Sequence, residues 1–263
     1  MSTKMRVAPR ARSVVAVSSN ADAAARLFCF PFAGGGASVF RKWAPHIASD
    51  IELLAIQLPG RESRIAETPF TNLRDICSTL AADIAPLLDR PYAFYGHSLG
   101  SLVAFSLARE LRSIGAPLPM HLFLSGRRAP HLPSGRRPLY DLPRDELLLE
   151  LDRLEGTPRA VLENEELLEL FMPLLRADFQ VNETYEHAAL PPLPLSASVM
   201  GGLADEAADR SQLEAWQEHF EGKINVSMFP GGHFYIDDAL PVIGGRISAC
   251  MAQLLRPRAA QFA

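Results

Sequence analysis

The chain is poor in cysteine, in long apolar runs and in unbalanced charge. Among its 263 residues there are three cysteines, Cys29, Cys77 and Cys250. Their spacing fits neither a disulfide framework nor a metal-ligand pattern, so a small disulfide-stapled secreted domain is excluded. The thiols read instead as structural groups in a reducing, cytoplasmic compartment, with Cys29 as a small residue inside a buried strand. No apolar stretch approaches the ~18 residues that a transmembrane helix needs. Val14-Val-Ala-Val17 is too short for a signal-peptide core. Residues 1–25, which carry Lys4, Arg6, Arg10 and Arg12, are therefore expected to form a flexible leader, and residues 257–263 a flexible tail. Lys and Arg total 26 against 30 Asp and Glu, a net charge of −4. That balance gives no global basic field for nucleic acid or an anionic membrane. There is no internal repeat. The glycine-rich run 34–36 has neither the G-x-x-x-x-G-K-[ST] nor the G-x-G-x-x-G spacing of a phosphate cradle.

What is present is enough apolar material, 48% of residues, for one large core. Short apolar runs at 26–31, 51–57, 92–95, 120–124, 195–200 and 223–229 alternate with helical patterns at 38–48, 72–88, 101–111, 211–220 and 239–254. Strands alternating with helices of this length imply βαβ units and a mainly parallel sheet, whose strands, buried on both faces, read as continuously apolar. The alternation breaks between Arg127 and Pro194, which holds helical patterns at 144–154 and 165–177 but no strand pattern. So long a connection suits a lid inserted over the catalytic end of a sheet. The expected organisation is an α/β core of residues 26–126 and 195–256 with a helical lid at 127–194.

Gly96-His-Ser-Leu-Gly100 follows the strand pattern Tyr92–Tyr95 and precedes a helical one. Strand, G-x-S-x-G and helix in that order form a nucleophile elbow, in which Ser98 sits on a strained turn and two glycines let backbones approach closely. A serine hydroxyl needs a base, and the base an orienting acid. In the α/β-hydrolase fold these follow in the order Ser, Asp/Glu, His. One strand pattern ends in Gly201-Gly-Leu-Ala-Asp205 and another in Pro230-Gly-Gly-His233, so Ser98, Asp205 and His233 are the expected triad. Glu206 and Asp209 are alternatives to Asp205, which comes directly off the strand-end glycines. Asp237 and Asp238 belong to the next helix start. His97 is expected to point away from the elbow, in a packing or supporting role. His46, His121, His131, His187 and His219 lack a strand-end glycine context and are expected to be structural or solvated. The oxyanion donors are expected to be the backbone N–H of Leu99 and that of Phe32, with Ala33 as the alternative to Phe32.

These segments, together with Phe30-Pro-Phe-Ala-Gly-Gly35, Gln57-Leu-Pro-Gly-Arg-Glu62, Leu124-Ser-Gly-Arg-Arg-Ala-Pro130, Pro173-Leu-Leu-Arg-Ala-Asp-Phe179, Gly202-Leu-Ala-Asp205 and Gly231-Gly-His-Phe234, make the chain from Leu27 to Leu255 resemble the type II thioesterases of nonribosomal peptide and polyketide synthase systems. Relatives of that family end medium-chain fatty acid synthesis in animals. Hydrolase chemistry requires neither Leu-Pro-Gly-Arg nor Leu-Arg-Ala-Asp-Phe, so these segments separate the family from generic esterases. Phe32 stands where the family commonly has His, Leu99 where it has Met, and Glu155 where it has Gly. None of these departures removes a catalytic group.

The resemblance implies an α/β-hydrolase fold with an inserted lid and hydrolysis of aberrant or stalled acyl thioesters on the phosphopantetheine arm of a carrier protein. It places the chain in antibiotic or siderophore biosynthesis. No cofactor or metal is expected, and the chain is expected to be a monomer whose partner is an acyl or peptidyl carrier. Carriers are generally acidic, so Arg61, Arg64, Arg127, Arg128, Arg136 and Arg137 are expected to offer a local basic surface to the phosphate or the carrier. A small-molecule carboxylesterase or lipase, an acyltransferase with the same triad, and a non-catalytic synthase partner are the competing readings.

Overall fold

The computed structural model describes residues 12–154, 156 and 159–256. These form a seven-stranded sheet in the order β1-β3-β2-β4-β5-β6-β7. The strands are β1 (Val14–Ala16), β2 (Ala25–Phe30), β3 (Ile51–Ile56), β4 (Tyr92–His97), β5 (Leu122–Ser125), β6 (Ala197–Gly202) and β7 (Ile224–Phe229). All neighbours are parallel except β1, which runs antiparallel to β3 with Val14 opposite Ile56. The flexible leader expected over residues 1–25 is thus corrected from Val14 onward. The β-branched pair Val14-Val15 adds an edge strand to β3, and Ser13 N–H donates to the Asp83 carboxylate at 3.0 Å. Residues 1–11 and the expected tail, 257–263, lie outside the described residues.

Sequence explains why the sheet is buried on both faces. In β4, Tyr92 and Phe94 pack with α1 (Leu73–Ile84) and α2 (Leu99–Ser113). The alternate residues Ala93 and Tyr95 pack on the other face with Phe40 and Trp43, from a 3₁₀ turn at Ala37–His46, and with Ile243 and Ile247 of α7 (Leu240–Leu255). This is the period-two alternation of a strand with two apolar neighbours. The expected helix at 38–48 is this 3₁₀ segment, which contains Pro45. α1 starts where the Asn72 side chain accepts from Asp75 N–H. Its last turn becomes 3₁₀ over Ala85–Leu87, around Pro86. α6 (Arg210–Glu214) opens with a capping box between Asp209 and Gln212.

Between β5 and β6 lie α3 (Arg144–Leu154), α4 (Arg159–Leu162) and α5 (Glu165–Glu183). Leu142, Leu147, Leu151 and Leu175 form a small apolar cluster of their own. α5 runs six residues past the expected end at 177 and passes through Pro173 without breaking. The reason is its buried face, Leu174, Leu175, Ala177, Asp178 and Val181, which stays in contact with the rest of the molecule to the last turn. Tertiary packing of an apolar stripe outweighs the local cost of one proline. β6 is also shifted, ending on Gly201-Gly202 rather than on Met200. A side chain at 202 would overlap the carbonyls of Gly231 and Gly232, so only bare backbone lets β6 meet the loop after β7.

The register brings the C-terminal ends of the parallel strands into line. Phe30 lies beside Gly96, Gly96 beside Leu124, His97 beside Ser125, and Gly202 beside Phe229. Ser98, Asp205, His233 and Phe32 all follow within four residues of those ends, on the edge where open α/β sheets bind ligands.

Candidate active site

Ser98 follows β4 directly and has φ 54° and ψ −115°, outside the regions L-residues favour. Such backbone costs on the order of 1–3 kcal/mol and persists only where its surroundings enforce it. Here they are visible. Ser98 N–H donates to Ser125 O at 2.8 Å, and Ser101 N–H to Ser98 O at 3.0 Å. The buried Ser101 hydroxyl lies 2.8 Å from both Gly96 O and Ser125 O and accepts from Ser125 N–H at 2.9 Å. Ser101 thereby staples the elbow to β5. A serine in the first turn of a helix carries no signal of its own, so the sequence does not single it out. The two elbow glycines fulfil their expected role. A Cβ at Gly96 would overlap the Gly100 carbonyl, and one at Gly100 would overlap the carbonyls of Phe30 and Pro31.

Asp205 and His233 meet across the ends of β6 and β7. His233 Nδ1 lies 2.9 Å from Asp205 Oδ2, and the Asp205 side chain is buried. The second oxygen, Oδ1, accepts from Ala207 N–H at 2.8 Å. A carboxylate so placed holds the proton on Nδ1 and leaves the Nε2 lone pair for a substrate-side proton. The rival acids have other partners. Asp209 caps α6, Glu206 pairs with Arg153 at 2.9 Å, and Asp237 pairs with Lys42. Ser98 Oγ and His233 Nε2 make no hydrogen bond with each other; such contacts often tighten only once substrate is bound.

His97 is buried behind this pair, its ring 5.0 Å from that of His233. It hydrogen-bonds the Ser125 hydroxyl through Nδ1 at 2.9 Å, and Ser125 Oγ lies 2.5 Å from the Tyr235 hydroxyl. Burial first, and the neighbouring His233 second, push the His97 imidazole well below the usual histidine range, so it is neutral. Gly126 makes room for it. With φ 62°, a Cβ there would lie 2.5 Å from His97 Cε1 and 3.4 Å from His233 Cε1. Phe32 packs edge-on to His97 and to Phe234, with ring centroids 6.0 and 5.0 Å away.

The loop after β2 comes against the first turn of α2 at Gly100. Among the described residues, the backbone N–H groups of Phe32, Ala33 and Leu99 donate no hydrogen bond. They are therefore free to donate to an anion at this edge.

The arginines separate sharply. Arg61 is buried and forms a bidentate pair with Asp178 of α5, with contacts of 2.9 and 2.8 Å, which corrects the expectation that it meets a carrier. Arg127 is also buried, donating to Asn182, so it presents no charge at the surface either. Its surroundings push the guanidinium down to about 9, chiefly by burial. Arg64 is tied to Glu67, Ser13 and Gln57 O, and half-buried Arg128 reaches Leu132 O. Arg136 and Arg137 are the exposed pair, beside Glu206 and Glu146.

Comparison with known proteins identifies the family. The family model for the thioesterase domain matches residues 25–250. The gramicidin S biosynthesis protein GrsT of Aneurinibacillus migulanus is 43% identical over 222 residues, spanning 84% of this chain and 87% of its own. The medium-chain S-acyl fatty acid synthase thioesterase of Rattus norvegicus is 37% identical over 223 residues, 82% of this chain and 83% of its own. Among solved structures, the type II thioesterase BorB from the borrelidin biosynthetic cluster superposes with a TM-score of 0.83 at 32% identity, covering 93% of this chain and 98% of BorB. With an elbow serine, a paired strand-end Asp and His, and matches that run nearly end to end, the chain belongs to the thioesterase family, among the type II thioesterases of nonribosomal peptide and polyketide systems, and is a thioester hydrolase.

Proposed function

We propose that this thioesterase clears acyl groups, aberrant or stalled, from the phosphopantetheine arm of carrier proteins, with Ser98, His233 and Asp205 as its catalytic residues. The observation that carries the residue assignment is the 2.9 Å pairing of His233 with buried Asp205 on the same sheet edge as the strained Ser98. In the first half-reaction Ser98 Oγ bonds to the thioester carbonyl carbon while His233 Nε2 takes its proton. The tetrahedral oxyanion is held by the N–H of Leu99 and that of Phe32, with Ala33 as the alternative to Phe32. The C–S bond then breaks, and His233 returns the proton to the departing thiol. In the second half His233 deprotonates a water, which attacks the acyl carbon; the C–Oγ bond then breaks, His233 returns the proton to Ser98 Oγ, and the acid leaves. Asp205 stabilises the imidazolium in both. Neither half requires a metal or an organic cofactor.

The helices between β5 and β6 serve as the lid over the acyl group. Two contacts support this: Arg153 of α3 pairs with Glu206 beside Asp205, and a Cβ at Gly156 would lie 2.7 Å from the Phe234 ring. Arg136 and Arg137 supply the basic surface for an acidic carrier, and the enzyme acts as a monomer. The test is single-turnover deacylation of carrier proteins loaded with a panel of acyl groups, compared with acyl-CoA and simple oxoesters. Carrier-bound thioesters turn over fastest, and Ser98→Ala abolishes release. A strong oxoester preference points to a small-molecule esterase, and transfer to an added amine or alcohol in place of water to an acyltransferase. Charge reversal at Arg136 and Arg137 slows carrier-bound turnover while sparing acyl-CoA; equal rates on both refute the basic surface.

A further inference from the structure

Two segments that hydrolase chemistry does not demand, Gln57–Glu62 and Pro173–Phe179, converge on the loop that follows β2. Asp178 of α5 is buried, and its Oδ2 accepts from Gly34 N–H at 2.7 Å and from Arg61 Nη1 at 2.9 Å. Its Oδ1 accepts from Arg61 Nη2 at 2.8 Å. The same Arg61 Nη1 donates to Gly35 O at 3.0 Å. Gln57 accepts from Ala37 N–H and donates to Arg61 O, both at 2.7 Å. Glu62 accepts from Ser38 N–H at 3.0 Å and from its hydroxyl at 2.6 Å. Each of the loop residues 34, 35, 37 and 38 therefore has a backbone group held by a side chain from outside the loop.

The geometry at Gly34 shows what this holding decides. Gly35 N–H donates to Phe32 O at 2.9 Å, closing a turn over 32–35. Gly34, its third residue, has φ 77°, as a type II turn requires. The alternative type I turn flips the peptide between the two central residues, which carries the Gly34 N–H, away from Asp178. Arg61 Nη1 holds the carbonyl of Gly35, the last residue of the turn, and so fixes the peptide that leaves it. Leu175, one turn before Asp178, closes the loop from above: a Cβ at Gly34 would lie 2.8 Å from Leu175 Cδ2.

We infer that Asp178 and Arg61 are positioning residues for the oxyanion hole: the ion pair selects the turn at 32–35, so holding in place the loop whose first residue carries the Phe32 N–H, and it ties α5 to that loop. This rests on the oxyanion-hole reading above. The charge pair suits the task because an ionised acceptor binds a backbone N–H about twice as strongly as a neutral one, and the bidentate fork fixes direction as well as distance.

The experiment uses two variants and two readouts. Asp178→Asn keeps shape and removes charge, but it leaves Arg61 buried without its counter-ion and is prone to unfold. The double variant Arg61→Met, Asp178→Leu removes both charges and keeps apolar volume, the kind of replacement that buried ion pairs tolerate. An oxyanion donor is worth about 10²–10³ in kcat, and one merely misaimed loses part of that, so kcat of the folded double variant falls by about 10- to 100-fold with KM within about threefold. An alkylboronic acid, which forms a tetrahedral adduct on the serine, weakens in parallel. Lower folded content reduces the amount of adduct but leaves its Kd unchanged, so a raised Kd reports the oxyanion hole itself. Wild-type kcat and boronate Kd in the folded double variant overturn the inference. Failure of wild-type enzyme to form the adduct, or turnover by Ser98→Ala, overturns the nucleophile assignment instead.

Discussion

Asp205→Asn is the most exacting test of the site, because the structure dictates how the new amide must sit. Asp205 Oδ1 accepts from Ala207 N–H at 2.8 Å, and Oδ2 lies 2.9 Å from His233 Nδ1. An asparagine in this buried slot has one oxygen and one NH₂. The Ala207 N–H can only donate, so it claims the oxygen. The NH₂ is left facing His233 Nδ1, where two donors cannot share a hydrogen bond. The imidazole therefore moves its proton to Nε2, the atom that must be bare to deprotonate Ser98. The geometry survives while the protonation state is wrong. In a Ser-His-Asp protease the same change lowers kcat by roughly 10⁴, which at 1.36 kcal/mol per decade is about 5.4 kcal/mol of barrier. The assay is single-turnover release of acid from an acyl carrier or acyl-CoA at neutral pH, alongside thermal unfolding. The expected outcome is a loss of three to four decades in turnover with folding intact. A kcat within tenfold of wild type refutes the tautomer argument and passes the acid's role to another group.

Three further perturbations test other parts of the structure. Gly100→Ala drives a Cβ into the backbone carbonyls of Phe30 and Pro31, which cannot rotate away; a loss of roughly 1–3 kcal/mol is expected, read as a melting temperature several degrees lower together with reduced kcat, and an unchanged enzyme refutes the close approach. Arg127→Met replaces a buried guanidinium whose Nε has no partner with apolar volume, so stability in urea stays level or rises and carrier-bound turnover is unchanged; a marked drop in either shows that the charge is needed. Burial pushes the His121 imidazole down to about 4, below its unfolded value, so its contribution is complete above about pH 6.5 and is lost as pH falls towards 4, with a slope of up to about 1.4 kcal/mol per pH unit and a total of about 3 kcal/mol. His121→Gln flattens that part of the urea-midpoint profile between pH 4 and 7, and an identical slope in both proteins refutes the assignment.

The contrast between what sequence disclosed and what it withheld follows the range of the interactions involved. That Ser98, Asp205 and His233 lie on one edge of the sheet was legible because each follows an apolar strand run and carries local punctuation by glycine. The α/β alternation was legible for the same reason: strand and helix periods are short-range. β1 was missed because three residues of strand are visible only through their partner β3, 40 residues on. The end of α5 was missed because the face that extends it is set by what it packs against, not by its own period.

The arginines show the limit most clearly. In sequence six of them look like one basic surface, because sequence registers charge without direction. The fold turns Arg61 and Arg127 inward and leaves Arg136 and Arg137 outside. The carboxylate that claims Arg61 is Asp178, 117 residues away, so neither residue's neighbours in sequence announce the pair. Buried ionic partners have to be matched in three dimensions, since an isolated buried charge costs several kcal/mol and only a geometrically suited counter-ion offsets it. The segments Leu-Pro-Gly-Arg and Leu-Arg-Ala-Asp-Phe, which marked the family without any evident chemical duty, are thus two halves of one contact. The contact falls on the backbone of the loop after β2, at Gly34 N–H and Gly35 O, so its role appears only once the fold is known.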